Sequence, residues 1–178
     1  VYADMEHPIT EDSPQLLDVL DDPEFLANED YALSKSKAEK FIRASKPSNW
    51  TIVRPVISFS DKRFDIVTIN RTIVPEYAKS GQTLFLPKIA KNLTAALDWA
   101  GNSGKLIANL LFKKDSFMQA FTISTAQNLT WGEIAEIYIE LTDIKIQWID
   151  TDEWLSNPDY IKNSYWVAVY DRFFDRCI

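Results

Sequence analysis

One cysteine, Cys177, and one histidine, His7, are all the thiol and imidazole in these 178 residues. A lone cysteine cannot close an internal disulfide, and the two together are too sparse for a zinc site of Cys/His type, so no metal centre is expected. The scarcity of cysteine reads as an intracellular, cytoplasmic protein. Glycine is equally thin. Gly81, Gly101, Gly104 and Gly132 are the whole set, and no G-x-G-x-x-G or G-x-x-G-x-x-G can be built from them. The backbone turn that lets a pyrophosphate reach the amides of a helix N-terminus is therefore absent from the sequence. No apolar run approaches ~18 residues, so no segment reads as a membrane span. Val1-Tyr2-Ala3-Asp4-Met5 has neither a basic flank nor a long apolar core, unlike a signal peptide. Positive charge is also short. Against 26 Asp and Glu stand 19 Lys and Arg, a net charge of -7, which argues against non-specific binding to nucleic acid or to an anionic membrane. Residues 1–30 carry ten acidic and no basic side chains, and Lys35 is the first cation.

What is present suits a packed domain. Hydrophobic content is 46% and aromatic content 13%, with six tryptophans, enough for a substantial core. Residues 1–30 read as a strand end and an acidic loop with turn chemistry at Pro8 to Pro14, and Gln15 to Leu20 allows a helical turn or two. A helix is expected over residues 31–46, capped by Asp30 and ended by Pro47. On it Tyr31, Ser34, Lys35, Ala38, Phe41 and Ile42 fall on one broad face. Trp50 to Phe59 is β-branched and nearly all apolar, as in a strand covered on both faces, and Pro55 should end it. Beyond it, a helix is read over residues 64–78 and a short strand over residues 81–87. A helix start is read at residues 93–99 and a strand at residues 119–124. Thr130-Trp131-Gly132-Glu133 is a capping box opening a helix with an Ile134, Ile137, Tyr138, Leu141 stripe, and a strand follows at residues 145–149. The aromatics from Trp154 to Phe174 are read as packing.

Tyr31 and Lys35 stand one helical turn apart. A phenol titrates near ~10, and a fixed ammonium beside it lowers that value, so such a pair facing a cleft can act as a general acid/base. On most helices the same spacing is only amphipathic surface. Here the surrounding motifs matter. Tyr31-Ala32-Leu33-Ser34-Lys35 with Ala38-Glu39 behind it resembles the Y-x-x-x-K helix of the extended short-chain dehydrogenase/reductases, the NAD-dependent epimerase/dehydratase family. Val1-Tyr2 with Pro8-Ile9-Thr10-Glu11 is similar to the V-Y-G…P-x-x-E segment before that helix, and Thr51-Ile52-Val53-Arg54-Pro55 to the strand ending in R-P. Asp98-Trp99-Ala100, Gln119 to Ser124 and Thr130 to Glu133 keep the likeness more loosely.

The resemblance implies an α/β fold: a partial Rossmann-type, doubly wound parallel sheet with a smaller α/β substrate-binding domain. Residues 1–60 would be the C-terminal portion of the NAD(P)-binding domain. Residues 61–178 would be the substrate domain, with elements returning to the Rossmann core. It further implies an NAD- or NADP-dependent epimerase, dehydratase or reductase acting on a nucleotide sugar or related hydroxyl or carbonyl compound. Tyr31 would be the acid/base and Lys35 the residue on the nicotinamide ribose. Pro55, Val56 and Ile57 would form the loop beside the nicotinamide, with Tyr31 and Lys35 also touching cofactor. Arg54 is read as structural, and Asp98 as structural rather than substrate-facing. The chain would correspond to the C-terminal part of such an enzyme, inactive alone, and a homodimer in full-length form. No nucleic acid and no membrane are expected as partners. The alternative is a non-catalytic binding or regulatory protein on the same kind of scaffold.

Overall fold

Short β-branched segments separated by helices cannot pair as hairpins, so they pair in parallel across crossover connections. The computed structural model describes residues 2–3, 7–27, 31–67, 71–161, 173 and 175–177. Two short helices, α1 (Leu16–Val19) and α2 (Pro23–Ala27), precede the long helix α3 (Tyr31–Ala44). Then come β1 (Thr51–Pro55), β2 (Ile57–Phe59), α4 (Ile73–Ser80), β3 (Thr83–Pro87), β4 (Leu97–Trp99) and α5 (Ala100–Leu110). The chain continues through β5 (Gln119–Ile123), α6 (Trp131–Thr142), β6 (Lys145–Ile149), α7 (Thr151–Ser156) and α8 (Pro158–Ile161).

The α/β class holds. A doubly wound sheet is not seen among the described residues. Among the described residues the strands make three separate parallel pairs, β1 with β5, β2 with β4 and β3 with β6. β1 ends at Pro55, where the sequence places its end, and after Val56 the chain enters a different pair as β2. Two other expectations shift. Residues 64–67 are not helical: Ile66 and Val67 are buried in irregular chain, Val67 with φ 38°, and α4 begins only at Ile73. Pro75 falls in the first turn of α4, where its missing N–H costs nothing. Leu97 to Trp99 is strand, and the helix read from residue 93 begins at Ala100. The Asp30 cap lies outside the described residues.

The main core gathers Ile66, Val74, Leu84, Leu86, Trp131, Ile134 and Ile144 from α4, β3, α6 and the chain between them. A second cluster, Leu16, Phe25, Ala32 and Leu33, fixes α3 against α1 and α2. A third joins Ile149 and Trp154, with Phe173 tilted against the Trp154 ring at 6.2 Å.

The capping box forms as the sequence proposes. Thr130 Oγ1 accepts from the Glu133 amide at 3.2 Å, and Glu133 Oε2 accepts from the Thr130 amide at 2.8 Å. The Thr130 amide most, and the Thr130 hydroxyl donating to Oε2 at 2.9 Å, hold the Glu133 carboxyl below its ordinary range. Thr130→Ala should lower stability by about 1 kcal/mol, a melting-temperature drop of roughly 2–4 °C by calorimetry.

Candidate functional site

The acid/base pair read from the sequence sits on the outer face of α3. The helix buries Ala32, Leu33, Ser36 and Glu39, while Tyr31, Ser34, Lys35, Ala38 and Phe41 face water. Tyr31 is 71% exposed and Phe41 77%. Lys35 does meet Tyr31, but over the ring: its Nζ lies 5.3 Å from the ring centroid, a cation–π contact on an open surface. Pro55 is exposed, and Val56 and Ile57 are half-buried where β1 gives way to β2. Among the described residues no hydrogen bond or ring contact joins these three to Tyr31 or Lys35.

A nicotinamide dinucleotide needs a cleft over Tyr31 and a row of free backbone amides for its pyrophosphate. The best-formed helix start does not supply that row. In α6 the Trp131 amide donates to the Leu93 carbonyl at 3.1 Å and the Gly132 amide to the Lys91 carbonyl at 2.8 Å, and the Glu133 amide is held by Thr130. Neither the open surface around Tyr31 nor the start of α6 supplies that cleft and row of amides.

Under α3 lies a polar network that does join the motifs. Arg54 sits on β1 and turns its guanidinium to Glu39: Nε to Oε1 is 2.9 Å and Nη2 to Oε2 is 2.6 Å, a two-pronged ion pair. Both side chains are buried, 8% and 10% exposed. Arg54 Nη1 donates to the Tyr2 hydroxyl at 2.6 Å and stacks over its ring, and that hydroxyl lies 2.9 Å from Thr122 Oγ1 on β5. Burial works against both charges, yet the hydrogen bonds and charge of the partner prevail. They hold Glu39 below and Arg54 above the ordinary values. The Tyr2, Glu39 and Arg54 motifs thus meet in a structural clamp between helix and sheet, as the strand position of Arg54 suggests. Asp98 is structural too: buried on β4, it accepts from the Thr125 backbone amide at 2.8 Å and from Asn102 Nδ2 at 3.2 Å.

Elsewhere the surface carries an open groove. Between β1 and α5 opens a groove of about 310 Å³, lined by Asn49, Thr51, Val53, Ile107, Leu110 and Phe117 among others. Its walls carry no charged side chain. The polar atoms at its floor are already paired: Thr51 Oγ1 donates to the Ser116 carbonyl at 2.7 Å, and Ser116 Oγ donates to the Lys113 carbonyl at 2.7 Å. At its rim Leu111 and Phe112 are 57% and 97% exposed. The sequence reading missed this groove. Its signal is faint: the run Leu110-Leu111-Phe112 at the end of α5, too apolar for a solvated turn. Among the described residues, no group of His, Cys, Asp and Glu could hold a metal ion, and no helix is long and apolar enough to cross a membrane.

No protein-family model matches this chain, and no curated protein matches it. Among solved structures, the X-ray structure of Pal from Bacillus thuringiensis is similar, with 16% identity and a TM-score of 0.53. The match covers 67% of this chain and 39% of Pal, so the likeness is one of fold and takes in well under half of Pal's length. The assignment to the extended short-chain dehydrogenase/reductases is corrected by these findings. No family model supports it, and a likeness at 16% identity shows a fold and no family, so membership is withdrawn. The NAD-dependent epimerase/dehydratase activity and the oxidoreductase, isomerase and nucleotide-sugar labels go with it. The physical reason for the false lead is that any helix brings residues four apart together, whichever way that face turns.

Proposed function

We propose that the chain is a non-catalytic binding module and that its binding site is the groove between β1 and α5. One observation carries this reading: the groove is open, uncharged and rimmed by large exposed apolar side chains, whereas Tyr31 and Lys35 stand in water on another face. Such a lining offers nothing to a phosphate and suits the apolar body of a ligand or the side chains of a polypeptide. The Asn49 side-chain amide is placed to orient what enters. A regulatory role fits a site that binds without chemistry.

The test uses N-phenyl-1-naphthylamine, an uncharged apolar fluorophore. Its emission should rise on titration, with the methyl resonances of Val53, Ile107 and Leu110 shifting together. Leu110→Lys should weaken binding at least tenfold, the scale of one lost apolar contact surface. Tyr31→Phe should leave the affinity and the melting temperature unchanged. A probe that fails to bind, or an affinity that follows Tyr31 rather than Leu110, would overturn the reading.

A further inference from the structure

The loop between α5 and β5 is both more apolar and more basic than its position on the surface requires. It runs Leu111-Phe112-Lys113-Lys114-Asp115-Ser116-Phe117-Met118, and only Ser116 in it is buried. Phe112 is almost wholly exposed, so its ring takes no part in packing, and Leu111, Phe117 and Met118 are exposed with it. Phe112 and Met118 also take positive φ, 61° and 60°, a region that side chains of this size rarely occupy. The backbone beneath is tied in that shape. The Met118 amide donates to the Trp50 carbonyl at 2.7 Å and the Ser116 amide to the Lys113 carbonyl at 3.1 Å. The buried Ser116 hydroxyl donates to the Lys113 carbonyl as well, at 2.7 Å. The fold thus holds an apolar tip out in water.

Charge at this tip runs against that of the chain. Across 178 residues, 26 Asp and Glu outnumber 19 Lys and Arg, yet residues 105–118 hold Lys105, Lys113 and Lys114 against Asp115 alone. All four are exposed. A further cation stands close by. The Arg43 guanidinium lies 5.6 Å from the centre of the Trp50 ring, and Trp50 is the residue bonded to Met118. The acidic segment meets β5 further along. Glu11 reaches the Thr122 amide at 2.6 Å, about 13 Å along the strand from Met118 and beyond the ~8 Å screening length of physiological salt. Asp18 of the same segment is paired with Lys40 at 2.8 Å.

Exposed apolar side chains can be covered by protein or by lipid, and the lysines select between them. Protein interfaces are depleted of lysine relative to the rest of the surface. Two lysines directly after a leucine and a phenylalanine suit an anionic bilayer instead. There the apolar groups enter the acyl boundary and the ammonium groups stay at the lipid phosphates.

We infer that the tip at residues 111–118 docks on an anionic lipid bilayer, with Leu111, Phe112 and Met118 in the acyl boundary and Lys113 and Lys114 at the phosphates. The net charge of the whole chain does not oppose this, because distant acidic groups are screened from the bilayer. The docking goes beyond the groove reading and does not rest on it.

Co-sedimentation of the full 178-residue chain with lipid vesicles tests the docking. The probe vesicles are one part phosphatidylserine to three parts phosphatidylcholine, and the controls are phosphatidylcholine alone. The chain should bind the anionic vesicles about tenfold or more tightly than the neutral ones, and less tightly as salt rises. Lys113→Gln with Lys114→Gln should weaken binding about twentyfold, since each basic side chain contributes roughly fivefold at such a surface. Phe112→Asn should weaken it about tenfold without lowering the melting temperature, because asparagine tolerates the positive φ. Binding that these substitutions leave unchanged would overturn the docking. So would a lipid-free dimer that Phe112→Asn returns to monomer in sedimentation velocity, which would make a second copy the occupant. Failure to bind anionic vesicles, in a chain whose groove still takes the fluorophore, would overturn the docking and leave the groove reading intact.

Discussion

Glu39→Gln should destabilise the fold by about 3 kcal/mol in urea unfolding, because it strands the Arg54 charge in a buried position. The low end of the usual 3–5 kcal/mol for such a break is expected, since Arg54 keeps its bond to Tyr2 and Tyr2 is only half-buried. Arg54→Met should cost a similar amount by stranding Glu39. The double variant Glu39→Leu with Arg54→Met should lie close to the parent, because an apolar pair of that volume avoids desolvating either charge. A cycle with additive single effects would show the pair to be uncoupled and the clamp to be incidental.

The same carboxyl sets a pH dependence. Glu39 titrates lower in the folded state than in the unfolded chain, held there by Arg54 against the effect of burial. Its contribution is therefore complete above the unfolded glutamate value of ~4.3 and disappears as pH falls through the lower folded value. Glu11, lowered by the Thr122 amide, acts in the same sense. Stability should fall with acid below about pH 4, and Glu39→Gln should show a shallower acid limb than the parent in melts across pH 2–6.

That clamp also marks where the sequence could be read and where it could not. Local chemistry was legible: Pro55 ends β1, Thr130 and Glu133 open α6, and the runs at residues 119–123 and 145–149 are strands. The face of α3 was not. Its charges at Lys35, Lys37, Glu39, Lys40 and Arg43 surround the helix, so apolar spacing favoured Tyr31, Phe41 and Ile42 as the inner face. The inner face instead buries Ala32 and Leu33 against α1 and α2 and carries the Glu39–Arg54 ion pair further along. Periodicity counts Glu39 as a polar, outward residue, and only Arg54, fifteen positions on, makes it an inward one. Pairing order escaped for a similar reason. Each strand is apolar enough to be seen, but what it lies beside depends on contacts far along the chain. The groove is legible only after β1 and α5 have been brought together.

Trp131→Ala should be the most damaging single truncation in the main core, costing 3–5 kcal/mol, the usual range for a fully buried aromatic. Trp131 is wholly buried at the first position of α6, and its ring joins α6 to the core of β3 and α4. Its backbone has a second task. Residues 91–95 run beside residues 129–132, with the Ala95 amide bonded to the Leu129 carbonyl at 2.9 Å and the Trp131 and Gly132 amides returning bonds to Leu93 and Lys91. Gly132 permits this approach: a Cβ there would lie 2.9 Å from the Lys91 carbonyl oxygen. The start of α6 is thus a rivet through which segment 91–95 hangs on the core, and removing the Trp131 ring loosens both sides. Amides of Ala95, Trp131 and Gly132 should lose exchange protection together in Trp131→Ala, whereas Trp131→Phe should keep the three coupled at a smaller cost of about 1–2 kcal/mol. Loss confined to α6, with Ala95 still protected, would mean that segment 91–95 is held independently of the helix start.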